Sequence, residues 1–375
     1  MEPKKTPLYQ KHIDNKGKVI DFAGWLLPVE YTSSLKEAKA TRTACGLFDA
    51  SHMGEIRVQG PQALDFLQSL TPNDISLTAQ GQQQYNLFLN KDGGIIDDFM
   101  LYNEGKSYLC VVNASNTEKV LNWLNSHKGK FDIEITDKSE ETALLSLQGP
   151  IAIDVLREIV GGKIDAIDYM HFNYFDIADT WIMASRSGYT GEDGFEVYMP
   201  AFRAEAVWDL LLERGKQYGL TLCGLGSRDI LRIEAGYPLY GHELSDEIDP
   251  YTASLSWVVK GQKYFIAKDK LAKIKQDGPM RKRVGFVMEE RAMVRQGYKI
   301  FSQGKEAGVV ASGTFSPNAD KFVGMAFVDC AVAAAKSPIT VEVRANQYKA
   351  KIAKFPFVEV KTKHIKPKET SNGRA

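Results

Sequence analysis

The sequence predicts an α+β fold: mainly antiparallel sheets with helices over residues 1–278, then a compact all-β unit of barrel or jelly-roll type. Three observations carry that reading. Asp92-Gly93-Gly94 separates the apolar-rich run 85–89 from another that begins at Ile95, and glycines at a tight turn read as a β-hairpin. The strands that follow are joined by both hairpins and helices, without the regular alternation that builds a parallel sheet. After Gln276-Asp277-Gly278-Pro279, the clearest linker signal in the chain, the pattern changes to short strands punctuated by Gly, Asn and Pro.

In chain order, Asp21-Phe22-Ala23-Gly24-Trp25 leads to Pro28 and Tyr31 as an aromatic-rich loop or short strand. Ser34 is placed to cap a helix through about Arg42, closed by Gly46. Phe48-Asp49-Ala50-Ser51-His52-Met53-Gly54 then bridges into a strand, 55–58. Gln59-Gly60-Pro61 opens a helix with Leu64, Phe66, Leu67 and Leu70 on its apolar stripe, because proline at a helix start forfeits no hydrogen bond. Gln148-Gly149-Pro150, again after an apolar strand (143–147), repeats that pattern and hints at two related strand–helix units. Between them lie a strand at 108–113 and a helix at 117–127. Strands near 131–135 and within 172–186 come next, then an amphipathic helix, 204–218. Ser227 is placed to cap a helix, 228–235, ended by Gly236 and Pro238. Residues 268–275 read as a basic surface helix. Beyond the linker, strands at 284–288, 298–301, 306–312, 322–328 and 339–344 make an all-β domain, 279–360. The Lys-rich tail, 361–375, is expected to be disordered.

The 375 residues are 44% hydrophobic and 25% charged, with 47 basic against 47 acidic side chains. Zero formal net charge gives no electrostatic footprint for nucleic acid or an anionic membrane, and no apolar run approaches the ~20 residues of a membrane span. The N-terminal stretch lacks an apolar targeting core. The four cysteines (Cys45, Cys110, Cys223, Cys330) are scattered among apolar or small residues without a CxxC, which predicts buried thiols, a reducing cytoplasmic setting and no metal.

Three stretches could carry chemistry. On the second hairpin strand Ile95, Asp97, Phe99 and Leu101 share one face, and Ile96, Asp98, Met100 and Tyr102 the other. A strand apolar on both faces is covered on both sides, so at least one carboxylate must be paired, hydrogen-bonded or kept for chemistry. The bland alternative is a strand end where both acids reach water or cap a neighbouring turn. In Arg186-Ser187-Gly188-Tyr189-Thr190-Gly191-Glu192-Asp193-Gly194-Phe195-Glu196, the glycines either form a turn or let backbone approach a flat ligand. Tyr189 then offers a stacking face, and Glu196 a carboxylate suited to two parallel N–H donors. Arg228 falls in a first helical turn, where a cation opposes the helix dipole, so an anionic ligand, Asp229 or Glu234 would answer it. Arg232 reads as a solvated salt-bridge residue. His52 lacks a second histidine at ligand spacing, no Gly-x-Ser-x-Gly elbow occurs, and no dinucleotide fingerprint joins a strand to a helix.

Taken together these stretches resemble the aminomethyltransferase of the glycine cleavage system, the T protein. The resemblance runs from Thr6-Pro7-Leu8-Tyr9 through Gly46-Leu47-Phe48-Asp49, Gly93-Gly94-Ile95-Ile96-Asp97-Asp98, Gly188-Tyr189-Thr190-Gly191 and Leu255-Ser256-Trp257 to Phe355-Pro356-Phe357. It implies three domains around a folate-binding opening. It also implies transfer of a methylene from the aminomethyl-dihydrolipoyl arm of H protein to tetrahydrofolate, with release of ammonia. By the same resemblance Asp98 is catalytic, and Glu196, Arg228, Tyr189, Tyr85, Asn113 and Tyr237 contact folate, with Trp257 at the opening or in the core. Ala50 stands where the family usually has Val, and Ala267 where it usually has Gly.

Relatives set two competing expectations. The folate region of dimethylglycine- and sarcosine-oxidising flavoenzymes would need a separate flavin-bearing partner. A folate-dependent iron–sulfur assembly factor carries a cysteine signature where this chain has Lys260-Gly261-Gln262-Lys263-Tyr264. Folate binding without catalysis is the non-enzymatic alternative. Lysines in 268–275 and 361–368 are candidate contacts for an acidic partner.

Overall fold

The computed structural model describes residues 2–177 and 179–362. The hairpin forms as expected: Gln83–Leu89 pairs antiparallel with Ile95–Asn103, with Leu87 opposite Asp98. Its turn is tight for a local reason. The Asn90 side chain accepts from the amides of Asp92 (2.9 Å) and Gly94 (3.0 Å) and donates to the Asp246 carbonyl (2.8 Å). A β-carbon at Gly94 would collide with that same carbonyl oxygen, so only glycine fits there.

The hairpin is the edge of a five-stranded antiparallel sheet that continues through Ser107–Val112, Gly54–Gln59 and Glu134–Asp137. A six-stranded sheet runs Phe172–Asp176, Trp181–Ser185, Gly194–Pro200, Thr142–Gln148, Gly46–Asp49 and Thr221–Leu222, with only the last pairing parallel. The two sheets meet through Tyr102, Leu109 and Val111 on one side and Leu144, Phe172, Met183 and Tyr198 on the other. Helices Ala63–Leu70 and Thr117–His127 cover the outer face of the first sheet, and Ala152–Val160 and Ala204–Gly215 that of the second. Covering on both faces is why the strands lack a polar side.

The repeated Gly-Pro motif also has a structural counterpart. Gly60 and Gly149 both take positive φ (120° and 129°), and a β-carbon at either would strike backbone. Each helix starts two residues after its proline, at Ala63 and Ala152. Other boundaries shift as well: Ser34 lies inside the helix Ser34–Thr43, Gly46 opens a strand, and the strand expected at 131–135 is Glu134–Asp137. The helix expected from Arg228 begins at Leu225, so Ser227 is inside it and donates to the Gly224 carbonyl (2.8 Å).

Past Gly278 (φ 77°), six antiparallel strands close into a barrel: Arg281–Met288, Lys321–Asp329, Lys305–Ser316, Lys299–Ser302, Pro338–Val343 and Asn346–Ala353. The barrel docks on helix Leu225–Ala235 through buried polar contacts. Ser316 Oγ donates to Glu234 (2.5 Å), Asn318 donates to both oxygens of Glu234, and Ser312 Oγ donates to Glu243 (2.6 Å). The same two carboxylates hold Arg42 and Arg232, and buried charge of this kind persists only when every partner is in place. Arg232 is therefore not the solvated residue expected from its sequence: it is 1% exposed, between Asp229 and Glu243.

Cys330 departs from the buried-thiol expectation; it is exposed, while Cys45, Cys110 and Cys223 are buried. The start of the expected disordered tail is tied down, since the Lys361 amide donates to the Gly191 carbonyl (2.7 Å); the rest of it, 363–375, lies outside the described residues. Among the described residues no helix is long and apolar enough to cross a membrane.

Candidate active site

Strand alternation separates the two hairpin acids. Asp97 points to the helix-covered face and is fully buried. It accepts from the Asn113 amide (2.9 Å), the Asn113 side chain (2.8 Å) and Asn116 (2.6 Å). Asp98 points the other way and is partly buried. Its Oδ2 accepts from the Tyr85 hydroxyl (3.0 Å) and its Oδ1 from Asn113 Nδ2 (2.9 Å), so one asparagine amide bridges both acids. Burial raises the affinity of both carboxyls for a proton; the charge on Asp98 adds to this at Asp97, and the bonds from Tyr85 and Asn113 oppose it at Asp98. The water-exposed alternative for the two acids is thereby set aside.

An aromatic wall adjoins Asp98. Trp257, 56% exposed, stacks on Tyr85 at 5.6 Å and 28°, so it faces solvent rather than the core. Tyr189 stacks on Tyr237 (5.9 Å, 26°) and donates its hydroxyl to the Pro238 carbonyl. The Arg228 guanidinium lies 5.0 Å from the Tyr189 ring. Its Nη1 is buried without a hydrogen-bond partner among the described residues. Neither expected neighbour answers it, because Asp229 pairs with Arg232 and Glu234 with Arg42. An unpartnered buried donor is costly, and an acceptor group on a ligand would satisfy it.

Burial and then the charge of Asp98 push the Tyr85 hydroxyl well above its ordinary pKa, keeping it a donor. Arg283 reaches the same region from the barrel. It is 3% exposed and donates to the carbonyls of Ala253 (2.8 Å) and Gly236 (3.0 Å), and its charge acts on Asp98, Tyr85 and Tyr189. The sequence offered no signal for it: Arg283 falls in a basic run just before the strand expected at 284–288.

Glu196, on the strand Gly194–Pro200, is nearly buried, and its Oε2 accepts from Ser187 Oγ (2.8 Å) and the Tyr102 hydroxyl (3.3 Å). The glycines before it serve a neighbour rather than a ligand: β-carbons at Gly188 and Gly194 would collide with the buried Gln148 side chain. His52 is buried and packs edge-on to Phe22. Burial, with Arg228 nearby, pulls it down to about 4, so it is neutral at pH 7. No group of three or more His, Cys, Asp or Glu side chains among the described residues could hold a metal ion.

The two family models that match are the GCVT N-terminal domain, over residues 8–263, and the glycine cleavage T-protein C-terminal barrel domain, over 281–359. Aminomethyltransferases of Bacillus pumilus (strain SAFR-032) and Bacillus subtilis (strain 168) are 43% and 42% identical over 358 residues. The matches cover 94% of this chain and 98% and 99% of theirs. The crystal structure of glycine cleavage system aminomethyltransferase T from Bartonella henselae is similar throughout: TM-score 0.90, 34% identity, covering 96% of this chain and 99% of that one. With a closed barrel following a mixed helix-and-sheet region, and this likeness over nearly its whole length, the chain belongs to the glycine cleavage T-protein family of aminomethyltransferases.

Proposed function

We propose that the protein transfers the methylene of an aminomethyl-dihydrolipoyl group, carried by H protein, to tetrahydrofolate. The thioether and tetrahydrofolate become the dihydrolipoyl thiol, ammonia and 5,10-methylenetetrahydrofolate. Of the two N–H protons given up, one goes to sulfur and one to ammonia. The observation that carries the reading is the Asp98 carboxylate, held by Tyr85 and Asn113 beside an aromatic wall and the Arg228 guanidinium, whose buried Nη1 has no partner among the described residues.

Tetrahydrofolate supplies the nitrogens that accept the methylene, so the chain itself need not supply a nucleophile. Asp98 orients an N–H of the folate, draws off its proton and stabilises positive charge at the carbon as the bond to sulfur breaks. Tyr85 and Asn113 keep that carboxylate in one orientation, so little reorganisation accompanies the charge change. Glu196 takes an N–H edge of the ligand, Arg228 an acceptor group, and Tyr189, Tyr237 and Tyr85 flat faces. Trp257 lines the entrance. In this reading residues 1–278 bind folate, the barrel at 279–360 closes the site with Arg283, and the setting is cytoplasmic. The test is ammonia release from aminomethylated H protein with and without tetrahydrofolate. Folate-dependent release supports the reading, and folate binding without release would replace it with a binding module.

A further inference from the structure

We propose that Ser187 and Tyr102 are positioning residues for the Glu196 carboxylate, fixing one oxygen so that the other is presented to an N–H edge of the ligand. This rests on the assignment of Glu196 to the folate site. Glu196 Oε2 takes both protein donors, Ser187 Oγ at 2.8 Å and the Tyr102 hydroxyl at 3.3 Å, while Oε1 accepts no hydrogen bond from the described residues. Each donor is backed by a second hydroxyl: Ser185 Oγ lies 3.1 Å from Ser187 Oγ, and the Tyr198 hydroxyl 2.9 Å from that of Tyr102. All four of these side chains are buried. Hydroxyls converging on one oxygen hold the plane of a side chain that would otherwise rotate.

The donors are themselves immobile. Gln148 Nε2 donates to the Ser187 carbonyl (2.9 Å), and Thr190 Oγ1 donates to Gln148 Oε1 (2.9 Å). The Arg186 guanidinium closes the loop with a two-bond fork onto Asp193 (2.9 and 2.7 Å). Tyr102 is wedged edge-on against Phe172 and Tyr198, each with ring centroids 5.5 Å away. It also sits on the Asp98 strand, four residues on and on the same face, a span of about 13 Å along the strand. One rigid strand thus carries the proposed catalytic carboxylate and a bond that orients the ligand-binding one. An edge offering only acceptors selects ligands with paired N–H donors and rejects those presenting lone pairs there.

The experiment measures tetrahydrofolate dissociation constants by anaerobic calorimetry for wild type, Ser187→Ala, Tyr102→Phe, Glu196→Gln and both double variants. Loss of one bond to a charged group predicts about tenfold weaker binding for Ser187→Ala and about fivefold for Tyr102→Phe, whose ring stays in the core. In the Glu196→Gln background each change should cost less than about twofold, whereas Ser187→Thr in the otherwise wild-type protein, measured alongside, should bind within about threefold of wild type. Equal losses in both backgrounds would mean general slackening and overturn the inference. So would wild-type affinity for Ser187→Ala and Tyr102→Phe when Glu196→Gln binds weakly. Unchanged affinity for Glu196→Gln itself overturns the folate assignment of Glu196, and the inference with it.

Discussion

Replacing Asn113 by alanine should move the acid limb of the pH–rate profile upward. The Asn113 amide donates to Asp98 Oδ1 at 2.9 Å and to Asp97 Oδ1 at 2.8 Å, between two carboxyls of which Asp97 is pushed up to about 8 by burial and by the charge of Asp98. Both bonds favour the ionised carboxyls, and Asp98 is needed ionised. Removing the donor therefore makes Asp98 hold its proton to higher pH. A hydrogen bond to a charged group is worth about 1.5–3 kcal/mol, and each pH unit corresponds to about 1.36 kcal/mol. Water entering the space left by the amide replaces part of that bond, so the expected displacement is about 1 pH unit. The assay is kcat/KM for ammonia release from pH 5 to 9, with both proteins on the same aminomethylated H protein so that ionisation of the substrate cancels. Activity should recover toward alkaline pH, where Asp98 ionises regardless. An acid limb within about 0.3 of wild type, with a uniformly lower rate, would show that Asn113 does not tune Asp98 and would refute the reasoning.

Three further predictions concern stability. Ser316→Ala leaves a buried Glu234 oxygen short of its 2.5 Å donor and should lower the unfolding free energy by about 1.5–3 kcal/mol, read by thermal or urea denaturation; a change below ~0.5 kcal/mol would mean that this bond adds nothing to barrel docking. Glu55 is 1% exposed, neither oxygen has a partner among the described residues, and burial, with the charge of Asp137, holds it protonated well above the usual carboxylate range. The folded chain then binds more protons than the unfolded one above about pH 4.3, so stability falls as pH rises. Glu55→Gln should flatten that fall, and parallel curves for the two proteins would contradict it. Ala267 occupies φ 67° where the family usually has glycine, and Ala267→Gly should stabilise by about 0.5–1 kcal/mol, once relief of left-handed strain is set against the freer unfolded chain. Destabilisation would show that the alanine methyl makes packing contacts worth more than the strain.

Where the signal was local, the sequence was readable. The hairpin follows from Asp92-Gly93-Gly94 and alternation, and the helix Thr117–His127 appears where its pattern put it, because both signals lie within a dozen residues. The last barrel strand, Asn346–Ala353, was missed: Tyr348, Ala350 and Ile352 form only a weak alternation among lysines, and the strand exists by pairing with two distant strands. Arg232 read as solvated because charge on a helix ordinarily is, and Glu234 as a possible partner of Arg228; in the fold Arg232 is buried between Asp229 and Glu243, and Glu234 is taken by Arg42 and by Ser316 of the barrel. The glycines at 188 and 194 read as a turn or as a close approach to a flat ligand. The partner is Gln148, some 40 residues back in sequence and adjacent only once the sheet forms. Asp98, Tyr85 and Asn113 were named from the family resemblance, and the structure brings the three together; Arg283 joins them from another domain's strand, which no local pattern could indicate.

The most direct test of the central claim compares wild type with Asp98→Asn for folate-dependent ammonia release, alongside tetrahydrofolate binding. Asparagine keeps the size of the side chain and the Tyr85 contact but cannot carry the charge or take the proton. The account predicts a fall of about 10²-fold or more in rate with folate still bound. A variant that releases ammonia at the wild-type rate would contradict the assignment of Asp98 and leave the fold and the family unchanged.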